Sequence, residues 1–299
     1  MGASLKSEYA ISDPILGHSI MSQYAHLSIV DPEFAKAAAN VPPPEPTDDI
    51  QLRRERFNGL IKMLNERDKA LLPPESELRV EEHKVPVDGG EITVRYLFLL
   101  SPSPRTLNVP HGKAAENTTL LSADLSKGFV VRGTSSGGNL AASMALRTRD
   151  DPFFQGRPLT GQILQIPAVV SPHNIPEKYK AEFLSMYMPL DPRFFDKSGV
   201  LDYNRLWNPD VTDIYTFPLL HPNHAGLAPA VIQICGLDPL RDEGLLYERL
   251  LREAGVKTKL YTYAGVPHGF YVPFSEIKVA KEYNQDLKDG LRWLLSGAI

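Results

Sequence analysis

The sequence predicts an α/β fold in which a mostly parallel sheet has helices on both faces, with a helical cap added to it. From Gly128 onward, short apolar segments alternate with segments of helical periodicity. The apolar segments are continuous runs, which favours strands buried on both faces of a sheet. The chain has 299 residues and is 42% hydrophobic. That composition is sufficient for a large core.

Two segments come before this alternation. Residues 1–77 contain helical patterns in DPEFAKAAAN and LRRERFNGLIKMLNERDKALL, separated by the breaker VPPPEP. We expect this segment to form a helical part of the cap. The pattern then changes to period two in LRVEEHKVPVDGGEITVRYLFLL, which predicts a β-hairpin over about 78–99 that turns at Asp88-Gly89-Gly90. The hairpin begins the second predicted domain, residues 78–299.

Within the second domain, four strand-like segments are each followed by a helical or irregular segment. In chain order the sequence gives GFVVRG, a helix near 138–149, TGQILQIPAVV, an insert at about 171–228, PAVIQICG, a helix near 241–254, KTKLYTYAG, and a helix from about 275 to 296. The insert is rich in proline and aromatic residues and carries no strand pattern. We expect it to be the second part of the cap.

Composition excludes several classes of function. The net charge is −4, from 32 basic and 36 acidic residues, so no basic footprint for nucleic acid is present. The single Cys235 leaves no disulfide framework, and the histidines show no metal-ligand spacing, so we expect neither a metal nor another cofactor. No apolar run reaches the ~18 residues of a membrane helix. Without an apolar leader segment, we expect a cytoplasmic protein; its oligomeric state stays open.

Ser135 lies in the pentapeptide Gly133-Thr-Ser-Ser-Gly137, between the strand-like FVVRG and the helix-forming NLAASMALR. A G-x-S-x-G pentapeptide alone is a weak signal, with roughly 0.1 chance matches expected in a chain of this length. Between a strand and a helix, however, it predicts a sharp turn that exposes the serine hydroxyl. We therefore expect Ser135 to be a nucleophile.

A serine nucleophile requires a base, and the base requires a group that orients it. In an α/β sheet these groups come in the chain order Ser, then Asp or Glu, then His, each on a loop after a strand. Asp238 follows PAVIQICG, and His268 follows KTKLYTYAG. Asp238 could instead begin the next helix, with Asp242 or Glu243 as the acid. A structural histidine in a turn is the alternative for His268.

Two longer blocks carry a family resemblance. GTSSGGNLAA and CGLDPLRDEGLLYERLLREAGVKTKLYTYAGVPHGF resemble the nucleophile and acid–histidine blocks of the hormone-sensitive-lipase-like α/β-hydrolases, and especially those of fungal esterases from secondary-metabolite pathways. The resemblance implies an α/β-hydrolase fold, a small hydrophobic ester as substrate and Ser135, His268 and Asp238 as nucleophile, base and orienter. It also implies a cap over an acyl pocket. The candidate lining residues of that pocket are Phe183, Met186, Tyr187, Met188 and Trp207, and core packing explains these apolar residues equally well.

One part of the family pattern is missing. The family has a His-Gly-Gly-Gly loop whose N–H groups bind the oxyanion, whereas this chain has only His111-Gly112. Too few residues lie between the hairpin and Gly128 for two strand–helix units. We expect an internal deletion near Pro110–Lys113, a sheet that lacks two central strands, and Ser136 N–H as the one remaining oxyanion donor. The alternative function is therefore a catalytically impaired or inactive hydrolase-fold protein with a binding or vestigial role.

Overall fold

The computed structural model describes residues 24–43, 45, 47, 49–69, 78–87, 90–99, 107–108, 125 and 128–299. For the strand residues 78–87, 90–99 and 107–108, only the backbone is described, except that the side chains of Glu82 and Lys84 are described as well. All structural statements below concern these residues.

The centre of the molecule is a four-stranded parallel sheet. Its strands are β4 Val130–Thr134, β5 Gly161–Gln165, β6 Ala230–Leu237 and β7 Thr258–Pro267, in that spatial order. Every residue of β5 is buried, and so is β6 up to its last residue, which explains the continuous apolar runs in the sequence. The predicted parallel sheet is confirmed.

Helices cover both faces of this sheet. Alternate strand residues point to opposite faces, and Leu164 and Ile232 pack against α3 Ser136–Asp150 and α5 Arg241–Glu253. Ile163 and Val231 pack on the other face against α6 Lys278–Leu295. The predicted two-sided α/β architecture is therefore confirmed. None of the helices in the described part of the chain is long and apolar enough to cross a membrane.

The predicted hairpin forms a separate antiparallel sheet. Strand β1 Leu78–Val87 pairs with β2 Gly90–Leu99, which also pairs with the short β3 Leu107–Asn108. Asp88 and Gly89 of the predicted turn lie outside the described residues. Among the residues described, no strand pairs with the outer edge of β4. The predicted join near 110–113 also lies outside them, so the internal deletion stays a prediction.

The N-terminal segment packs on the carboxyl end of the sheet. It contains α1 Pro32–Ala38 and α2 Ile50–Asp68, capped by the side chains of Asp31 and Asp49. Gly265 of β7 has φ +71°, and a Cβ there would collide with the main chain of Ile29 and Asp31. A glycine at this position therefore lets the segment lie directly against the strand that leads to His268.

The insert is irregular apart from short 3₁₀ turns and one α-helix, α4 Lys197–Trp207. Asp196 caps α4 by accepting a hydrogen bond from Gly199 N at 3.0 Å. The predicted boundary between residues 77 and 78 stays a prediction, because residues 70–77 lie outside the described part of the chain.

Candidate active site

Ser135 occupies a strained turn between β4 and α3. Its φ and ψ are +56° and −117°, and positive φ is unusual for a residue with a side chain. Its N–H donates to Gln165 O of the neighbouring strand at 2.8 Å. A Cβ on Gly133 would collide with the main chain of Gly137. The flanking glycines thus let the chain turn back closely enough to present the Ser135 hydroxyl at the carboxyl end of the sheet.

Three side chains that are distant in sequence meet at this end of the sheet. His268 Nε2 lies 2.9 Å from Ser135 Oγ. His268 Nδ1 lies 2.7 Å from Asp238 Oδ2. The side chain of Asp238 is 1% exposed and that of His268 is 12% exposed. The structure therefore brings together the three residues that the sequence proposed as nucleophile, base and orienter. Burial keeps most of the solvent away from the hydrogen bond between Asp238 and His268.

Asp238 is held in one orientation by its own loop. Its Oδ1 accepts a hydrogen bond from Leu240 N at 2.8 Å, which leaves Oδ2 for His268. The two alternative acids have other partners: Asp242 Oδ1 pairs with Arg241 Nε at 2.7 Å, and Glu243 Oε1 accepts from Val169 N at 2.6 Å. The structure places Asp238, and not these alternatives, beside His268.

Burial perturbs two titratable groups close to the loop 238–240, which carries Asp238 and which we call the acid loop. Burial, reinforced by the neighbouring Asp238 and Asp242, raises the pKa of Glu243 well above its usual value despite two hydrogen bonds from backbone N–H groups. Burial also raises the pKa of the Cys235 thiol, and the charge of Asp238 acts in the same direction. Burial therefore favours the protonated form of both groups.

A buried ion pair joins the N-terminal segment and the insert to the acid loop. Arg241 donates from Nη1 to Ser28 Oγ of the N-terminal segment at 2.8 Å, while its Nε binds Asp242. Asp242 Oδ2 accepts from Leu184 N and Ser185 N of the insert at 2.8 and 2.6 Å. Sequence reasoning missed this cluster, because a charged triplet at the start of a helix is usually solvated.

Phe195 of the insert packs on the His268 ring, with centroids 4.7 Å apart. It also lines a cavity of about 240 Å³ beside the loops that carry Asp238 and His268. The cavity walls are mainly apolar and comprise Val30, Phe34, Ala35, Ala38, Pro189, Leu190, Asp191, Arg193, Phe194, Phe195, Leu237 and Pro267. No sequence pattern indicated a role for Phe195, since the insert lacks periodicity.

The cap residues named from the sequence lie elsewhere, and none of them lines this cavity. Phe183 and Met186 are core residues, 2% and 5% exposed. Met188 Sδ accepts from Arg241 Nη1 at 3.4 Å. Tyr187 and Trp207 are exposed at the surface. Core packing therefore describes Met186, whereas Phe183 and Tyr187 also line a second, mainly polar pocket of about 460 Å³.

Ser136 begins α3, so its N–H has no acceptor one turn back within the helix. The helix dipole adds partial positive charge at this end. An oxyanion formed next to Ser135 would meet a donor here. In the segment where the family has its oxyanion loop, this chain has the single pair His111-Gly112. These two residues lie outside the described part of the chain.

Comparison with known proteins agrees with this fold. A family described as the alpha/beta hydrolase fold matches residues 91–272. An AB hydrolase superfamily protein of Schizosaccharomyces pombe is 35% identical over 183 residues, which are 61% of this chain and 53% of that protein. Versiconal hemiacetal acetate esterase of Dothistroma septosporum is 31% identical over 189 residues, 61% of this chain and 56% of the esterase. The chain thus spans about half the length of the curated relatives it matches.

Among solved structures, vibralactone cyclase superposes with a TM-score of 0.82 at 34% identity, over 91% of this chain and 96% of the cyclase. A bacterial heroin esterase superposes with a TM-score of 0.69 at 22% identity, over 90% of this chain and 98% of the esterase, which shows likeness of fold alone.

Proposed function

The chain belongs to the alpha/beta hydrolase fold family, and we propose that within it the protein is a serine carboxylic-ester hydrolase. One observation carries the proposal: Asp238, His268 and Ser135 are joined by hydrogen bonds of 2.7 and 2.9 Å. Relatives that carry the name esterase support the same reaction class.

The proposed reaction passes through an acyl-enzyme. His268 Nε2 takes the Ser135 proton as Oγ attacks the ester carbonyl carbon, and Asp238 stabilises the imidazolium. His268 then returns the proton to the alkoxy oxygen, the carbon–oxygen bond breaks, and the alcohol leaves. Water, deprotonated by the same imidazole, attacks the acyl carbonyl and releases the carboxylic acid and free Ser135.

We propose a short acyl or acetyl ester of a hydrophobic alcohol as the substrate class. The apolar walls near His268 and the acetate ester named in the fungal relative support this choice. The same proposal includes a role in secondary metabolism, which that fungal relative supports. It also includes a cytoplasmic location, which the presence of only one cysteine supports.

The test is hydrolysis of p-nitrophenyl acetate and p-nitrophenyl butyrate by the purified chain, beside Ser135→Ala. The proposal predicts release of p-nitrophenolate by the unaltered chain and only the buffer rate for the variant. Equal rates for the two proteins would reject it.

The second candidate is a catalytically impaired protein that retains the site. The observation in its favour is the missing His-Gly-Gly-Gly sequence, since each lost oxyanion donor is worth about 10²- to 10³-fold in kcat. The internal deletion proposed to account for that loss is tested in the genomic DNA around residues 110–113. An in-frame coding segment of suitable length there would support it, and its absence would count against it.

Acyl transfer to a second hydroxyl uses the same acyl-enzyme. The relative named vibralactone cyclase, alike over nearly its whole length, favours this variant of the reaction. Methyl ester formed in aqueous methanol, beyond the share expected from the methanol concentration, would identify transfer.

A further inference from the structure

Helix α5 begins directly after the acid loop and lacks a capping side chain of its own. Its N-cap residue is Leu240, whose side chain has no hydrogen-bonding group. The N–H of Asp242 in the first turn therefore has no acceptor within the helix. Ser185 of the insert supplies one, because its Oγ accepts from Asp242 N at 3.2 Å. A serine 57 positions earlier in the chain thus takes the role of an N-cap side chain.

The same serine is bonded to the acid loop. Ser185 Oγ donates to Pro239 O at 2.9 Å, and Ser185 N donates to Asp242 Oδ2 at 2.6 Å. Ser185 and Asp242 are 1% and 3% exposed, so loss of the hydroxyl would leave buried polar groups without a partner. The hydroxyl thereby ties Pro239 to Asp242, on either side of Leu240.

Pro239 O and Leu240 N belong to one peptide group. This group is trans and planar, so its C=O and N–H point in opposite directions and rotate together. The C=O accepts from Ser185 Oγ, while the N–H donates to Asp238 Oδ1 at 2.8 Å. Fixing the C=O therefore fixes the direction in which the N–H meets Asp238, and Asp238 Oδ2 is left facing His268 Nδ1 at 2.7 Å.

Apolar contacts with the insert hold the same part of the loop. The side chain of Leu240 packs in a buried cluster with Met186 and Val200, and Phe195 packs against this cluster. Phe195 also lies on the His268 ring, with centroids 4.7 Å apart. The insert thus contacts both the residue whose N–H orients the acid and the imidazole that faces the acid.

We propose that Ser185 is a positioning residue, which keeps Asp238 turned toward His268 through the peptide group between Pro239 and Leu240. The inference rests on the proposed esterase function and gives the insert a part in it. The competing role is that of a helix cap alone. In that case loss of the hydroxyl would lower the stability of the chain and leave the bond between Asp238 and His268 intact.

Ser185→Ala removes the hydroxyl and separates the two roles. We expect kcat for p-nitrophenyl acetate to fall about tenfold, which is the scale of one lost buried hydrogen bond. KM should stay unchanged, because His268 acts in both acylation and deacylation, so that both steps slow together.

The ¹⁵N NMR signals of the His268 ring are the second readout. In the unaltered chain the neutral ring should carry its proton on Nδ1, where Asp238 accepts it. In Ser185→Ala part of the population should carry the proton on Nε2 instead, so the two ring signals should move toward each other.

Ser143→Ala is the matched control. Ser143 is also a buried serine, 7% exposed, and its Oγ donates to a backbone oxygen of the insert, that of Tyr215. The two variants should lose similar stability, but Ser143→Ala should keep kcat and the ring signals of the unaltered chain. Unchanged ring signals in Ser185→Ala, or the same change in Ser143→Ala, would overturn the proposal.

Amide hydrogen exchange in the unaltered chain tests the same link without a variant, and so covers the case in which Ser185→Ala does not fold. Release of the Ser185 hydroxyl should expose Asp242 N–H and free the peptide group that carries Leu240 N–H. The two amides should therefore show protection within about tenfold of each other. An Asp242 N–H that exchanges far faster than Leu240 N–H would mean that the Ser185 bonds open while Asp238 stays held, and would overturn the proposal.

The NMR and exchange measurements need no substrate, so they separate this inference from the proposed function. If the chain showed no Ser135-dependent hydrolysis but the ring signals changed in Ser185→Ala and not in Ser143→Ala, the function would fail and the positioning role would stand. If hydrolysis depended on Ser135 but the ring signals of Ser185→Ala matched those of the unaltered chain, the function would stand and the positioning role would fail.

Discussion

Replacing Asp238 by Asn tests how the acid loop acts, because the structure fixes the orientation that the amide must take. Leu240 N–H donates to Oδ1 at 2.8 Å, so the amide oxygen of Asp238→Asn stays at that position. The amide NH₂ then lies where Oδ2 accepts from His268 Nδ1 at 2.7 Å. Nδ1 must become an acceptor, which moves the imidazole proton to Nε2.

An Nε2–H group donates to Ser135 Oγ and cannot remove its proton. We therefore expect kcat for p-nitrophenyl acetate to fall about 10⁴-fold, since only the minor tautomer still acts as a base. This corresponds to about 5.4 kcal/mol of transition-state stabilisation. The substitution is isosteric and removes no atom of the core, so the melting temperature should change little.

The assay is the steady-state kcat of Asp238→Asn beside the unaltered chain, with ¹⁵N NMR of the His268 ring to identify its tautomer. Asp242→Asn is the comparison, because Asp242 binds Arg241 and backbone N–H groups and does not contact His268. A kcat for Asp238→Asn within tenfold of the unaltered chain, with the proton still on Nδ1, would refute this reasoning.

Three further predictions concern stability and reactivity. Because the pKa of Glu243 is raised in the folded state, the folded chain holds a proton that the unfolded chain has lost, and the stability present at low pH should fall as pH rises. Thermal unfolding from pH 5 to 9 should show this decline, and Glu243→Gln should flatten it; equal slopes would contradict it. Cys235 is buried with a raised pKa, so a thiol reagent such as dithionitrobenzoate should label it only after unfolding, and rapid labelling of the native chain would count against the core described here. Gly133→Ala places a Cβ against the Gly137 main chain and should cost about 3 kcal/mol in the free energy of unfolding together with most of the activity, whereas a variant as stable and active as the parent would exclude the tight turn.

The sheet and its helices could be predicted from the sequence because burial on both faces leaves a direct trace. The runs around Ile163 and Ile232 are mostly apolar, and both residues are almost fully buried. The convergence of Ser135, Asp238 and His268 followed from the same source. Carboxyl ends of parallel strands meet at one edge, so residues that follow strands β4, β6 and β7 of the same sheet come close there.

The remaining parts of the site depend on contacts between distant segments of the chain. Phe195 reaches His268 from an insert of short 3₁₀ turns without periodicity. The Arg241–Asp242 pair is buried only because Ser28 and Ser185, both far away in sequence, pack over it. No local pattern encodes such partners.

The most direct test of the central claim, that Ser135 is activated by His268, is covalent labelling with diisopropyl fluorophosphate followed by mass spectrometry. Ser135 Oγ would attack phosphorus, fluoride would leave, and His268 would take the proton. We predict one diisopropylphosphoryl group per chain, on the peptide that contains Ser135, with none in Ser135→Ala and far slower labelling in His268→Ala. An unlabelled chain, or labelling that is as fast in His268→Ala as in the unaltered chain, would contradict the account.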